Sequence, residues 1–147
     1  MTKKVKRRQK QSKPPMTRSE VMARVKGKNT RPEMRVRRAL WAAGFRYRLH
    51  GKDLPGRPDL VFPGKRVVVF VHGCFWHGHA GCPRHRIPKS RVEWWTDKIS
   101  RNMARDAEVR EILERTGWRV TVIWECETER PEELAALADK LREVDSI

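Results

Sequence analysis

Hydrophobic positions along this chain recur with two different periods, and turn residues separate the segments. Val36, Leu40 and Ala43 recur at the spacing of one helix face, whereas residues 66–71 are almost all β-branched, as in a central buried strand. The pattern predicts helices over 18–26, 30–43, 90–116 and 131–144 and strands over 45–49, 59–62, 66–71 and 118–124.

Capping motifs support the predicted helix starts and ends. Thr30 with Glu33, and Ser90 with Glu93, have the spacing of capping boxes, and Gly44 follows one helix as a stop signal. The element order α-α-β-β-β-α-β-α predicts an α/β fold with a mixed central sheet flanked by helices.

The charge of the chain is unevenly distributed. The 147 residues carry a net charge of +16, with 15 Lys and Arg against two Glu in residues 1–38 but 6 against 11 Asp and Glu in residues 108–147. Residues 1–16 have almost nothing to bury, which predicts a disordered basic tail before a single domain over 17–147. The basic end favours a polyanionic partner such as nucleic acid, although a charge run is often only a solvated face.

Three features of the sequence bear on the cellular compartment of the protein. We see no apolar run of membrane-spanning length and no signal peptide, and three cysteines are an odd number for a disulfide framework. These features predict a protein of the reducing cytoplasm that does not enter a membrane.

A compact set of metal-ligand residues lies in the middle of the chain. Cys74, His79 and Cys82 form a C-x4-H-x2-C cluster that suits zinc, and Cys126 is the remaining cysteine that can complete four ligands. The alternative is that the cysteines are buried small hydrophobic residues and the histidine fills a polar gap. A full Cys3His set leaves no open position for water, so the predicted zinc is structural.

Two adjacent aromatic residues lie between the zinc ligands. Phe75 and Trp76 cannot easily face one core together, so we expect them to be held rigidly on a loop, where they can enter between base steps of DNA. Trp41, Trp118 and Trp124 are predicted to be core residues.

A carboxylate is expected at the rim of the predicted sheet. Pro58-Asp59 begins a strand whose hairpin partner ends near His72 and His77. Asp59 is suited to Mg²⁺, which prefers oxygen ligands, and the histidines can act as base or acid near neutral pH. The alternative is an aspartate that merely caps a turn.

Four segments together resemble the very-short-patch-repair (Vsr) DNA mismatch endonucleases. They are PGRPDLVF (55–62), VVVFVHGCFWH (67–77), VEWWTDKISRNMARD (92–106) and GWRVTVIWEC (117–126), in the order of that family. The similarity covers about residues 17–127.

The resemblance implies a restriction-endonuclease-like fold, a structural Zn²⁺ and a catalytic Mg²⁺. The implied activity is a nick on the 5′ side of the thymine in a T:G mismatch, which arises when 5-methylcytosine deaminates. The implied partner is double-stranded DNA with a mismatch, bound by a monomer in the bacterial cytoplasm, at the nucleoid. Mismatch-repair accessory proteins are left open as further partners.

By resemblance, catalytic roles fall on five residues. Asp59 and the main-chain carbonyl of Val71 correspond to Mg²⁺ ligands, and His77 corresponds to the general base. His72 and Glu33 correspond to residues that bind metal-bound water or phosphate oxygens. Val71 stands where the family commonly has threonine, but a main-chain ligand survives that change.

The resemblance also assigns the zinc and DNA contacts. The zinc ligands are Cys74, His79, Cys82 and Cys126. The residues assigned to DNA are Phe75, Trp76, Trp95, Lys98, Asn102 and Met22.

Three functions agree with these residues. The first is a Mg²⁺-dependent mismatch-nicking endonuclease, and the second is a related nuclease for other mismatches, damaged bases or branched DNA. The third is a zinc-stapled DNA-binding protein without catalysis, which has no need of Glu33, Asp59, His72 and His77 together.

Overall fold

The computed structural model describes residues 29–144. The predicted tail (1–16), the predicted helix over 18–26 and Met22 lie outside them. The elements in chain order are α1 (Arg31–Ala42), β1 (Arg48–Leu49), β2 (Leu60–Phe62), β3 (Val67–His72), α2 (Val92–Arg115), β4 (Arg119–Trp124), a 3-10 turn (Glu127–Glu129) and α3 (Pro131–Glu143). Within that part of the chain no helix is long and apolar enough to cross a membrane.

The four strands form one mixed sheet in the order β1-β2-β3-β4. β2 pairs antiparallel with both β1 and β3, and β3 pairs parallel with β4 from Val67 opposite Arg119 to His72 opposite Trp124. The mixed α/β architecture predicted from the element order is confirmed for the described residues.

Helices cover the sheet on both faces because β3 is apolar on both. Val67 and Val69 pack with α1 and α3 in one cluster, and Val68 and Phe70 pack in a second cluster with Leu113 of α2. A strand buried on both sides reads as a continuous β-branched run, which is the pattern found in residues 66–71. The sheet therefore has a rigid central strand, and β3 ends at His72.

The start of α1 agrees with its capping motif in part. Thr30 is the N-cap, and its hydroxyl accepts a hydrogen bond from the Glu33 backbone N–H at 3.4 Å. The Glu33 carboxylate points inward and is buried. Gly44 follows the helix with φ +93°, as expected for a C-terminal stop.

Two local predictions are wrong. The capping box at Ser90 does not form, because the N-cap of α2 is Arg91, with φ 57° and no side-chain capping bond. Ser90 is one residue too early for its hydroxyl to reach the first turn. By contrast, α3 begins at Pro131 as predicted, after an N-cap residue, Arg130, that makes no side-chain capping bond, and its end is close to the prediction. The strand predicted over 45–49 is only Arg48–Leu49, because these are the two residues that pair with the three-residue strand β2.

Trp41 is not a core residue, contrary to the prediction. Its side chain is 54% exposed on the outer side of α1, where the Arg46 guanidinium stacks 3.5 Å from the ring centroid. The cation gives the ring a partner at the surface, so burial is not required. Trp118 and Trp124 are half-buried; Trp118 packs against the second cluster, and Trp124 contacts His72 and His79.

Candidate active site and metal cluster

Asp59 lies at the edge of the sheet, one residue before β2. Its Oδ2 accepts a hydrogen bond of 2.7 Å from the backbone N–H of Val71 in β3. The pKa of Asp59 is raised to about 6, mainly by burial and also by the nearby Glu33 carboxylate, while the Val71 hydrogen bond and the charges of His50 and His77 act to lower it. A divalent cation beside this carboxylate would offset both effects. The structure thus places the Asp59 carboxylate beside the Val71 main chain, the two groups named in the predicted Mg²⁺ site.

His72 and His77 lie face to face at the end of β3. Their ring centroids are 4.0 Å apart and their planes differ by 4°. His77 Nδ1 is 2.6 Å from Oδ2 of Asp106 on α2. Burial, followed by the charge of His77, lowers the pKa of His72 to about 4, so His72 is neutral at physiological pH.

Asp106 was missed by the sequence analysis. It follows Asn102 by one helical turn on α2, so a helix-period search from Asn102 points to it. Its carboxylate fixes the ring orientation of His77, in the way that a carboxylate orients a catalytic base in other hydrolases. His77 is the predicted base with the better support, because His72 has no such carboxylate among its described contacts.

Glu33 is held by two residues that the sequence analysis also missed. Its Oε1 is 2.8 Å from Arg37 Nη2 and 2.7 Å from His50 Nε2. Arg37 is four residues along α1, which is the spacing of a helical ion pair, whereas no local pattern indicated His50. His50 also lines the cleft that contains Asp59, so its contact with Glu33 connects that buried carboxylate to the cleft.

The four predicted zinc ligands form one cluster. One donor atom from each of Cys74, His79, Cys82 and Cys126 lies within 4.8 Å of the others. Cys126 Sγ is 3.5 Å from His79 Nδ1, and the His79 ring stacks on Trp124 with 4.2 Å between centroids. Burial raises the pKa of the Cys74 thiol to about 12, so a cation must replace its proton for the sulfur to serve as a thiolate. Three sulfurs and one imidazole nitrogen at this spacing are the donors that zinc prefers.

Phe75, Trp76 and Trp95 pack as one aromatic cluster beside these ligands. The ring centroids are 5.1 Å apart for Phe75–Trp76, 5.4 Å for Phe75–Trp95 and 5.9 Å for Trp76–Trp95. Trp95 is only 7% exposed, while Phe75 and Trp76 are half-buried. Within this cluster, Phe75 and Trp76 are therefore the residues that are accessible to solvent.

Besides Trp95, two further predicted DNA contacts lie on α2. Asn102 Nδ2 donates a 2.9 Å hydrogen bond to the Trp76 carbonyl, which ties the aromatic loop to the helix. Lys98 is exposed one turn earlier. The same cleft of about 850 Å³ is lined by Asn102, Asp59 and His77, so the aromatic cluster and the carboxylate site adjoin.

The sequence is similar to known proteins over most of its length. Residues 11–84 match the family described as "DNA mismatch endonuclease Vsr". A relative from Xanthomonas oryzae pv. oryzae, "Type II nicking enzyme V.XorIIP", is 52% identical over 130 residues, which is 88% of this chain and 93% of that protein. The chain belongs to the Vsr family. It is a DNA endonuclease.

Two further Vsr-family relatives are of similar length. "Type II nicking enzyme V.NmeAIP" of Neisseria meningitidis is 46% identical over 110 residues, 75% of this chain and 78% of the relative. "DNA mismatch endonuclease Vsr" of Escherichia coli K12 is 40% identical over 129 residues, 86% of this chain and 82% of the relative. The Vsr match over 11–84 includes Asp59, His72 and His77, which lie together in the cleft.

Proposed function

We propose that this Vsr-family endonuclease uses Mg²⁺ to nick one strand of duplex DNA on the 5′ side of the thymine in a T:G mismatch. The main support is one cleft lined by the largely buried Asp59 carboxylate and by His77, which Asp106 orients, together with the aromatic cluster that Asn102 ties to the edge of that cleft. Hydrolysis of a phosphodiester needs charge neutralisation and a base, and selection of a mismatch needs a group that tests base stacking. The repair of deaminated 5-methylcytosine is the purpose that such an activity serves.

The proposed Mg²⁺ ligands are the Asp59 carboxylate and the main-chain carbonyl of Val71. Asp59 Oδ2 is engaged by the Val71 N–H, and Oδ1 has no hydrogen-bond partner among the described residues. Oxygen donors of this kind suit Mg²⁺, which keeps several waters when bound to proteins. When bound there, the ion would neutralise charge on the phosphate.

In the proposed reaction His77 accepts a proton from the attacking water. The water oxygen forms a bond to phosphorus, and the bond from phosphorus to the sugar oxygen breaks; that oxygen keeps the electron pair and takes up a proton from solvent water to become a hydroxyl. Asp106 holds the His77 ring through Nδ1, so Nε2 is the nitrogen available for the proton. His72 stays neutral and stacks on His77, and Glu33 is assigned to hydrogen bonds with water or phosphate near the cleft.

We assign Zn²⁺ to Cys74, His79, Cys82 and Cys126, as a structural ion. The four ligands come from the loop after β3 and from the end of β4, which are separate in sequence. A closed Cys3His site would hold the loop that carries Phe75 and Trp76 against the sheet.

Mismatch selection is assigned to Phe75 and Trp76, with Trp95 behind them. Inserting an apolar ring between base steps costs a few kcal/mol, and a mispaired step lowers that cost. Because Trp95 is almost fully buried, we expect the loop residues to enter first and Trp95 to follow when the cluster opens. Lys98, Asn102 and Met22 are proposed to contact the DNA around the mispair.

The proposal includes a restriction-endonuclease-like fold for a single domain over residues 17–147, acting as a monomer. The mixed sheet with helices on both faces supports the fold assignment. The relatives are bacterial proteins, two named as nicking enzymes and one as a DNA mismatch endonuclease, which supports a site of action at the bacterial nucleoid. Membership of an endonuclease family excludes the alternative of a non-catalytic DNA-binding protein.

Single-turnover assays with two variants test the proposal. Asp59→Ala should abolish nicking of a T:G duplex in Mg²⁺ while leaving binding to that duplex nearly unchanged, because it removes a metal ligand and no stacking residue. Trp76→Ala should reduce the preference for T:G over fully paired DNA. Nicking by Asp59→Ala at the wild-type rate would show that the proposed active site is wrong.

A further inference from the structure

Two arginines border the cleft without an anionic partner. Arg57, in the turn before β2, and Arg105, on α2, line the same cleft as Asp59 and His77 and are exposed. Neither side chain forms a hydrogen bond or an ion pair with another described residue. By contrast, Arg110 on the same helix is 3.0 Å from Glu114.

The turn that carries Arg57 packs directly against α2. A Cβ atom added at Gly56 would lie 2.5 Å from Val109 Cγ1, so the backbone touches the helix there. Val109 follows Arg105 by one helical turn and lines the same cleft. The two arginines therefore approach the cleft from the two sides of one turn–helix contact.

The backbone beneath Arg57 is fixed at several points. Its N–H donates to the Leu54 carbonyl at 3.2 Å, and the next residue, Pro58, is fully buried. Arg57 itself has φ 46°, the left-handed region that favours glycine. An arginine is thus kept at a conformationally costly position immediately before the Asp59 site.

The base of the cleft is unfavourable for DNA unless cations are near. The Asp59 and Asp106 carboxylates both line it, and a phosphodiester carries a negative charge of its own. Guanidinium groups bind phosphate oxygens through paired N–H donors in a fixed geometry. Arg57 and Arg105 line the cleft from two different elements, the turn before β2 and α2, and can provide this compensation.

We propose that Arg57 and Arg105, on two neighbouring elements, form a clamp that holds the cut strand by its phosphates, next to the scissile bond, over Asp59 and His77. The inference rests on the proposed function for the location of the cut. The two arginines are positioning residues: they bind the backbone and leave the choice of mismatch to the aromatic cluster.

The first test is the salt dependence of DNA binding, measured without Mg²⁺ on a T:G duplex. Arg57→Ala and Arg105→Ala should each reduce the slope of log K against log salt by about 0.9, and the double variant by about 1.8. Arg110→Ala, on the same helix but paired with Glu114, is the matched control and should keep the wild-type slope. The preference for T:G over paired DNA should stay within about twofold in all variants.

The second test locates the phosphates. Duplexes in which one phosphate at a time is replaced by an uncharged methylphosphonate should lose affinity for the wild type at the phosphates that flank the nick. The alanine variants should be insensitive to those replacements and retain sensitivity elsewhere. Arg57→Lys and Arg105→Lys should keep the salt slope but slow single-turnover nicking, since a lysine cannot form the paired contact.

An unchanged salt slope in both alanine variants would overturn the clamp. It would also be overturned if the variants lost sensitivity only to methylphosphonates placed far from the nick. Both side chains are exposed, so their replacement leaves the core intact, and thermal unfolding verifies this. If the wild type nicks no mismatched duplex, the proposed function fails, and the clamp is then judged by the salt slopes and by coupling to phosphates beside the mispair.

Discussion

At the scale of single residues, the protonation of Asp59 connects stability with metal binding. The folded pKa of about 6 exceeds the ordinary value of 3.8 because the carboxyl is buried. Between these values the folded state holds more protons than the unfolded state, so stability falls as pH rises. The full effect is at most about 3 kcal/mol, since one pKa unit corresponds to about 1.4 kcal/mol.

The raised pKa predicts that Asp59→Asn becomes more stable than the wild type as pH rises in Mg²⁺-free buffer. Below pH 4 the variant and the wild type should have similar free energies of unfolding. Above pH 6 the variant should be the more stable, because the wild type then keeps an uncompensated buried carboxylate. Urea unfolding from pH 4 to 7.5 measures the difference, and added Mg²⁺ should reduce it. A difference that does not change with pH would contradict the raised pKa.

Changes at His77 and at Asp106 should each slow nicking, because both affect the same general base. His77→Ala should slow single-turnover nicking by about 10²–10⁴-fold, as expected for a lost general base. Asp106→Asn should also slow it, because the ring loses its orienting carboxylate, and in the His77→Ala background the second change should add little. Binding to the duplex should be unaffected. Additive losses from the two changes would show that Asp106 does not act through His77.

How far the sequence predicted this site depends on where each partner lies in the chain. Asp59, His72 and His77 are recognisable because they occur in short motifs at strand ends. His50 lies 17 residues from Glu33, and their contact depends on how β1 meets α1. Such a contact is set by packing and has no local pattern.

At the scale of elements, the zinc cluster joins the loop after β3 to the end of β4. Cys126→Ala should lower zinc content, from one ion per chain, and thermal stability together, because metal binding and folding are coupled. Metal analysis and thermal unfolding measure the two effects. Protein purified without chelators that contains no zinc would refute the assignment.

The elements themselves were predicted well where hydrophobic period was strong. β3 and α2 agree with their predicted spans within two residues, because one is buried on both faces and the other repeats over many turns. Prediction failed at the start of α2, where Arg91 adopts φ 57°. It also failed at Trp41, because a side chain stacked by Arg46 is indistinguishable in sequence from a buried one.

At the scale of the whole molecule, the net charge of +16 is concentrated at the amino-terminal end. Deleting residues 1–16 should weaken DNA binding and flatten its salt dependence, because fewer counterions are released. The preference for a mismatch should survive, since phosphate contacts do not specify sequence. Affinity titrations at several salt concentrations measure this, and an unchanged slope would show that the tail does not contact DNA.

A nicking assay on a panel of strand-labelled duplexes in Mg²⁺ tests most directly whether the protein nicks T:G mismatches. The panel contains each mismatch, fully paired DNA and a branched junction, with Asp59→Ala as the inactive control. We predict one nick in the T:G duplex, on the 5′ side of the thymine, with the guanine strand intact. Equal cutting of paired DNA, preference for another mismatch or for the junction, or cutting of both strands would contradict it.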